Sequence, residues 1–278
     1  MYDSHVHYDH KRFDCGRREL LNKMHAEGLD YCINPAIGFE SNEGMTKTLD
    51  GYDWIYYAMG FHPNCIEESD ENDEFYEAEI RRLARHKKVV AIGEAGLDYH
   101  RFNFGDDLSY VARIKERQKV WFRKLIRISI DMNLPLILHV REAYEDGLEI
   151  LDEFPEEKRG VIHCFASNTA VAKEYIKRGF LLGIGGKVTH ESETELRECV
   201  RELPLKYMLL ETDSPYVMPT GGEGKENTSK NMGMIIREIA RIKGLGEEEV
   251  ISATEKNAKQ SFCAFSIRNN CKQNGFGI

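Results

Sequence analysis

The sequence predicts an α/β protein of the (β/α)8 TIM-barrel class, formed as a single domain over residues 1–278. Short apolar runs recur along the chain, amphipathic stretches separate them, and a histidine or an acid follows several of the runs. Strands that alternate with helices indicate βαβ units and a parallel sheet. A barrel of this class commonly has about 250 residues, so the length fits one domain. Length alone would also allow two smaller domains.

The eight apolar runs are short, and most are rich in Val, Ile, Leu or aromatic residues. Buried parallel strands have this composition. The predicted strands are Tyr2–His5, Tyr31–Pro35, Trp54–Met59, Val89–Gly93, Leu136–His139, Val161–His163, Phe180–Ile184 and Tyr207–Leu210. Eight strands fit a closed barrel, and a doubly wound open sheet is the alternative.

Apolar residues at helical spacing predict helices between most of these runs. The predicted helices are Glu19–Glu27, Phe75–His86, Gln118–Met132, Ala143–Phe154, Ala170–Arg178 and Glu193–Arg201, with closing helices over Asn231–Lys243 and Glu247–Phe262. Two polar loops, His100–Tyr110 and Gly221–Lys230, follow strands. In a barrel such loops cover the carboxyl ends of the strands, where active sites lie.

Composition narrows the class of protein. The formal net charge of −9 does not indicate the basic face that is typical of a nucleic-acid-binding protein. Bound cations could supply positive charge locally. The seven cysteines form no C-x-x-C pair, so we expect neither a disulfide framework nor a zinc ribbon. Neither a membrane-spanning run nor a secretory signal is found, and we expect a cytoplasmic protein without membrane partners.

Histidines and acids at the strand ends predict a metal site. His5 and His7 are two residues apart, so both side chains can point to the same side of the first strand. An H-x-H pair alone is weak evidence of a metal. The ligand-type residues that follow four later runs strengthen it, and they are Glu94, His139, His163 and Asp213. Polar residues at this end of barrel strands are typical of catalysis.

Six ligands exceed what one tetrahedral metal ion needs. They suit two divalent ions a few ångströms apart, with a carboxylate such as Glu94 between them. Two such ions activate a water molecule and stabilise charge on the attacked or leaving oxygen. This chemistry hydrolyses a phosphoester, an acyl bond or an amide. We assign Asp213, together with Glu94, to catalysis, with Asp213 as the general base.

Six segments of the chain carry recognisable motifs, and they are Asp3–Asp9, Gly60–Pro63, Ala91–Tyr99, Leu134–Ala143, His163–Phe165 and Glu211–Pro215. These motifs resemble those of the TatD-type metal-dependent hydrolases, within the amidohydrolase-like barrels. They appear in that family's order and cover nearly the whole chain.

The resemblance implies a TIM barrel with a two-metal centre. By that analogy His5, His7, Glu94 and Asp213 hold one ion, and Glu94, His139 and His163 hold the other. Family members include nucleases that act on DNA ends, so the implied partners are DNA ends or a small phosphoester. Four imidazoles with two carboxylates favour zinc or manganese, whereas phosphoryl chemistry also suits magnesium.

Three segments depart from the family pattern without touching the implied ligands. Asn64 stands where the family has a second histidine, and Ala166-Ser167 stands where it has Ser-Gly. The loop Gly221–Lys230, called the mouth loop below, has Glu223 where the family has an arginine. It continues to Ser229 without the family's Glu-Pro pair. An arginine there would suit a phosphate, whereas a glutamate repels one.

Four residues are candidates for substrate binding. His62 could bind a phosphate or a leaving group, or be a structural residue. Arg141 follows His139 by two positions, and it could contact substrate or pair with Glu94 or Asp98. Lys225 and Asn227 lie on the mouth loop.

The leading functional hypothesis is a two-metal phosphodiesterase with deoxyribonuclease or exonuclease activity. A hydrolase of a small non-nucleic substrate (a phosphomonoester, ester or amide) is the alternative, motivated by the acidic balance and Glu223. A scaffold protein that kept the barrel is the third hypothesis, and the complete ligand set argues against it.

Overall fold

The structure, a computed structural model, describes residues 1–69, 73–103 and 105–262. Eight parallel strands pair in chain order, which confirms the predicted (β/α)8 barrel over the open-sheet alternative. The strands are β1 (Tyr2–Asp3), β2 (Tyr31–Pro35), β3 (Ile55–Met59), β4 (Val89–Asp98), β5 (Leu136–Arg141), β6 (Gly160–Ile162), β7 (Phe180–Ile184) and β8 (Met208–Leu210). The extension of one domain over all of residues 1–278 stays a prediction, because residues 263–278 lie outside the described part.

The barrel is closed where the chain leaves β1 and β8. The Ser4 amide donates to the Leu210 carbonyl, the Asp213 amide to the His5 carbonyl, and the His7 amide to the Ser214 carbonyl. Val6 and Ser214 form a parallel bridge. Because these bonds alternate along both segments, they fix the direction in which His5, His7 and Asp213 leave the backbone.

Nine helices are found within the described residues, and they follow the strands around the barrel. They are α1 (Arg17–Ala26), α2 (Phe39–Leu49), α3 (Asp73–Leu83), α4 (Leu108–Met132), α5 (Tyr144–Asp152), α6 (Thr169–Lys177), α7 (Thr194–Glu202), α8 (Met232–Lys243) and α9 (Glu247–Ser261). None of the helices in the described ranges is long and apolar enough to cross a membrane.

Two helices differ from the sequence prediction. The helix α2 was not predicted, because its residues include Asn42, Gly44 and two threonines, all weak helix formers. This helix buries Met45 and Leu49, and the buried Asn42 amide donates to the Gly60 carbonyl. Packing against the barrel therefore overrides weak propensity.

The helix α4 begins at Leu108, ten residues before the predicted start at Gln118. The Asp107 carboxylate accepts hydrogen bonds from the Ser109 and Tyr110 amides, as an N-cap does. The predicted loop His100–Tyr110 is therefore shorter, because its last residues belong to this helix.

Close approach of β4 to β5 depends on Gly96. Its φ is +148°, and a Cβ placed there would lie 2.0 Å from the His139 carbonyl oxygen. The pairing register also shifts between Ile92 and Ala95, beside Glu94. The backbone here is shaped by contacts that a side chain at position 96 would prevent.

Five of the seven cysteines lie in the described residues, and all five are free thiols. They are Cys15, Cys32, Cys65, Cys164 and Cys199. Cys263 and Cys271 lie outside the described residues.

Candidate metal centre

The carboxyl ends of the strands bring all six predicted ligand residues into one cluster. The Nε2 atoms of His5 and His7 are 3.2 Å apart, and they lie 3.7 and 3.5 Å from Asp213 Oδ1. The His139 Nδ1 atom is 2.9 Å from His163 Nε2. The cluster spans β1 to β8 because parallel strands of a barrel end on the same face.

Glu94 lies between two groups of imidazoles, one at each of its carboxylate oxygens. Its Oε1 atom is 3.8 Å from His5 Nε2 and 3.6 Å from His7 Nε2. Its Oε2 atom is 3.2 Å from His139 Nδ1 and 3.0 Å from His163 Nε2. His5, Glu94 and His163 offer ligand atoms within 4.8 Å of one another, and so do His5, His7 and Asp213. These donor sets fit divalent cations of the zinc and manganese kind.

In the metal-free cluster, burial and the neighbouring carboxylates act in opposite directions on the pKa values of the histidines. Burial acts to lower the pKa of His7, but the carboxylates of Asp213 and Glu94 outweigh it and raise the pKa to about 9. The same opposition raises the pKa of His139 to about 9, through Asp98 and Glu94. Burial and the neighbouring His163 lower the pKa of His5 well below its usual value. Protons therefore occupy some imidazoles when no metal neutralises the carboxylates.

Two acids that were not assigned to the site from the sequence stand behind the imidazoles. Asp98 Oδ2 is 3.3 Å from His139 Nε2, on the far side of the ring from Glu94. Glu211 Oε1 is 3.8 Å from His163 Nδ1 and accepts a hydrogen bond from the Cys164 amide. Carboxylates in this position orient metal-binding histidines.

Glu211 is fully buried in a space that a glycine keeps open. A Cβ at Gly183 would lie 2.1 Å from Glu211 Oε2. Burial raises the pKa of Glu211 well above its usual range. A cation held through His163 would oppose that effect by favouring the charged carboxylate.

Sequence spacing carried a signal for both acids. Asp98 lies four residues beyond Glu94 in the same strand, and Glu211 lies two residues before Asp213. Even spacing in an extended chain places side chains on the same side, and this applies to Asp98 and Glu94 in β4, whereas Asp213 lies beyond the end of β8.

Asp213 adopts a left-handed backbone conformation, with φ of 56°. Asp and Asn tolerate this conformation better than most residues. Its side chain is 13% exposed, compared with 3% for Glu94. Asp213 is therefore the more accessible of the two carboxylates at the mouth of the barrel.

His62 is also at the cluster, with Nε2 3.9 Å from Glu94 Oε2. Its ring meets the His139 ring at a centroid distance of 4.2 Å. The Asn64 amide side chain donates to Asp98 Oδ2 at 2.9 Å. Asn64, which departs from the family pattern, thus supports Asp98, the acid behind His139.

Arg141 and Lys187 bring positive charge to the mouth. Arg141 ends β5 and Lys187 follows β7, and the charges of both act on the half-buried Cys164 thiol that follows His163. Within residues 1–69, 73–103 and 105–262, neither side chain forms an ion pair or a hydrogen bond. The predicted alternative pairing of Arg141 with Glu94 or Asp98 is absent from these contacts. Lys187 was missed, because a single lysine after a strand carries no recognisable pattern.

The two mouth-loop candidates differ in position. Lys225 is exposed on the loop. Asn227 is fully buried, and its amide donates to the carbonyls of Thr212, Tyr216 and Val217. These contacts anchor the loop, and the substrate role of Asn227 stays a prediction.

An eight-stranded barrel with a buried histidine–carboxylate cluster at its carboxyl-end face is an arrangement suited to a metal-dependent hydrolase. The profile of the family described as TatD related DNase matches residues 2–263. The metal-dependent hydrolase YabD of Bacillus subtilis (strain 168) is 35% identical over 265 residues, which cover 94% of this chain and 98% of that protein. The metal-dependent hydrolase YcfH of Escherichia coli (strain K12) is 32% identical and covers 94% of this chain and 95% of its own.

The crystal structure of YjjV, a TatD homologue from Escherichia coli K12, superposes with a TM-score of 0.83. It is 26% identical and the match covers 94% of this chain and 97% of that one. The chain belongs to the TatD-related DNase family, and it is a metal-dependent hydrolase.

Proposed function

We propose that this hydrolase uses a two-metal centre to cleave phosphodiester bonds, with the deoxyribonuclease or exonuclease activity that its family name suggests. The observation that carries the proposal is the position of Glu94. One carboxylate oxygen faces His5 and His7, and the other faces His139 and His163. A single carboxylate between two ligand sets is what a bridged pair of cations requires.

In this proposal His5, His7 and Asp213 would hold one ion with Glu94, and His139 and His163 would hold the other. When bound, such ions would activate a water molecule and stabilise charge on the oxygens of the phosphoryl group. The accessible Asp213 carboxylate accepts the proton of the attacking water. Asp98 and Glu211 orient the imidazoles of His139 and His163.

Charge at the mouth supports an anionic substrate. The chain carries a formal net charge of −9, yet Arg141 and Lys187 stand beside the cluster without ion-pair partners among the described residues. A cation without a partner next to an active site is available to a phosphate group. In the proposed complex these two cations bind phosphate groups, and Lys225 joins them from the mouth loop.

The test is turnover by purified full-length protein, stripped of metal and reloaded with Zn²⁺, Mn²⁺ or Mg²⁺. We expect metal-dependent cleavage of bis-p-nitrophenyl phosphate and of single-stranded DNA. A parallel panel of phosphomonoesters, esters and amides covers the small-substrate alternative. Bound metal with turnover only in that panel would replace the phosphodiester proposal.

The number of ions is measured separately from activity, by elemental analysis of the reloaded protein. We expect the Glu94→Gln variant to lose metal from both positions, because the amide cannot supply two anionic oxygens. Exposed Glu223 on the mouth loop provides the control variant Glu223→Gln, which should keep the wild-type metal content. One ion per wild-type chain at saturation would contradict the two-metal centre.

A further inference from the structure

His62, Asp98 and His139 form a further group that geometry alone would allow to bind a cation. Each offers a ligand-type atom, and these atoms lie within 4.8 Å of one another. Whether His62 is a metal ligand depends on which ring nitrogen carries its proton, because only an unprotonated nitrogen binds a metal.

The backbone of Asn64 determines which ring nitrogen of His62 carries the proton. The Asn64 amide N–H points at His62 Nδ1, with the two nitrogens 3.0 Å apart. A backbone amide can only donate, so Nδ1 must be the acceptor and cannot carry a proton. The neutral ring then carries its proton on Nε2.

The Nε2–H group faces the cluster and has no acceptor there. Glu94 Oε2, at 3.9 Å, is too far for a hydrogen bond. Neither Asp98 nor His139 hydrogen-bonds to His62 Nε2, and Asp98 Oδ2 is already shared by Asn64 and His139. Within the described part of the chain, the donor on His62 is unused.

We infer that His62 is a neutral hydrogen-bond donor to a phosphoryl oxygen of the substrate, with its tautomer set by the Asn64 backbone, and is not a metal ligand. This inference rests on the proposed hydrolysis of a phosphoester. The oxygen would lie near Glu94 Oε2, on the side of the cluster formed by His139 and His163. A donor fixed in advance at such an oxygen needs no reorganisation when charge develops on it.

The tautomer is tested without turnover. In zinc-loaded, full-length protein labelled with ¹⁵N-histidine, we expect His62 to show a protonated Nε2 and an unprotonated Nδ1. The His62→Gln spectrum assigns the signals. Signals of a protonated Nδ1, or of Nε2 bound to zinc, would overturn the inference.

Two variants at position 64 separate the backbone from the side chain. Asn64→Ala keeps the amide N–H, and we expect it to keep the tautomer. Asn64→Pro removes that N–H, and we expect a mixture of tautomers. Position 64 lies in the 3₁₀ turn Pro63–Ser69, whose φ range suits proline. A pure Nε2–H tautomer in folded Asn64→Pro protein would show that the backbone does not set it.

The donor itself is tested by the binding of inorganic phosphate to zinc-loaded protein. His62→Leu lacks a donor, whereas His62→Gln keeps an amide N–H. We expect phosphate to bind about 10- to 100-fold more weakly to His62→Leu, with His62→Gln between it and wild type. Zinc content should be unchanged in both variants.

Two results would contradict the donor role. One is a loss of zinc in His62→Leu, and the other is equal phosphate affinity in wild type, His62→Leu and His62→Gln. If wild-type protein binds phosphate through His62 but cleaves no phosphoester, the proposed function fails, while the tautomer of His62 and its hydrogen bond to a phosphoryl oxygen stand.

Discussion

Asp213, a proposed metal ligand, has the most accessible carboxylate of the cluster. Its left-handed backbone, with φ of 56°, limits which substitutions can test it cleanly. Asn shares the tolerance of Asp for this conformation and keeps a metal-binding oxygen. Alanine would add backbone strain to the chemical change.

For Asp213→Asn we expect bound metal to be retained and kcat for phosphodiester cleavage to fall by about 10²–10⁴-fold, because an amide cannot accept the water's proton. Steady-state kinetics with parallel metal analysis measures this. Ser214, the next residue, is buried and bonds to Thr212, so it is unsuitable as a control. Exposed Glu157→Gln serves instead, because Glu157 lies in the loop that leads into β6, at the opposite face of the barrel. Unchanged kcat in Asp213→Asn would remove Asp213 from the general-base role.

Asp98 acts on the cluster through His139. Its carboxylate is 3.3 Å from His139 Nε2, and contact with this ring holds the pKa of Asp98 at about 2 in spite of burial. We expect Asp98→Asn to weaken zinc binding by about 10- to 100-fold, since the amide orients the ring less firmly and adds no negative charge. Competition with a chelator measures the affinity. Equal zinc affinity in Asp98→Asn and wild type would contradict this role.

The six residues of the cluster were predictable from the sequence, whereas the acids that support their rings were not. A histidine or acid directly after an apolar run can be found by inspection, and Glu94, His139 and His163 have that signature. Asp98 and Glu211 share only an even spacing with a ligand. Their roles depend on which ring nitrogen each faces, and that follows from packing between strands that are distant in sequence.

A buried amide side chain is one of the anchors that hold the mouth loop to the barrel. Asn227 donates to the carbonyls of Thr212, Tyr216 and Val217. Val217 has φ of 49°, a conformation unfavourable for a β-branched residue. The amide therefore stabilises a strained turn directly after the residues that close the barrel.

We expect Asn227→Ala to lower the free energy of unfolding by about 1–3 kcal/mol, because buried carbonyl groups lose their donor. Lys225→Ala, on the exposed part of the same loop, should change it by less than about 0.5 kcal/mol. Urea unfolding followed by circular dichroism compares the two. Equal stability of both variants would show that the three hydrogen bonds contribute nothing.

At the level of secondary-structure elements, helix propensity did not predict a helix that is stabilised by tertiary packing. The strands were found because each is a compact apolar run. The helix α2 was missed because its residues favour helix weakly, and its stability comes from Met45, Leu49 and Asn42 against the barrel. Such contacts exist only once the neighbouring strands are in place.

For the whole molecule, binding of metal is coupled to release of protons. The pKa values of His7 and His139 are raised to about 9 in the metal-free protein, so both rings hold protons at pH 7. A cation must displace them. We expect zinc affinity to rise from pH 7 to pH 9, and the calorimetric enthalpy of binding to depend on the ionisation enthalpy of the buffer. A flat affinity and a buffer-independent enthalpy would contradict the protonated state.

The closure of the barrel sets the order in which the centre can be made. Ser4 bonds to Leu210, which is 206 residues away, and the segments on either side of this bond carry His5, His7 and Asp213. At a synthesis rate of about 5–20 residues per second, β8 is synthesised roughly 10–40 s after β1 and the two histidines. Throughout that time one edge of β1 has no partner. The full set of ligands is therefore a late product of translation, and a chain released before β8 can neither complete its barrel nor gather all its ligands.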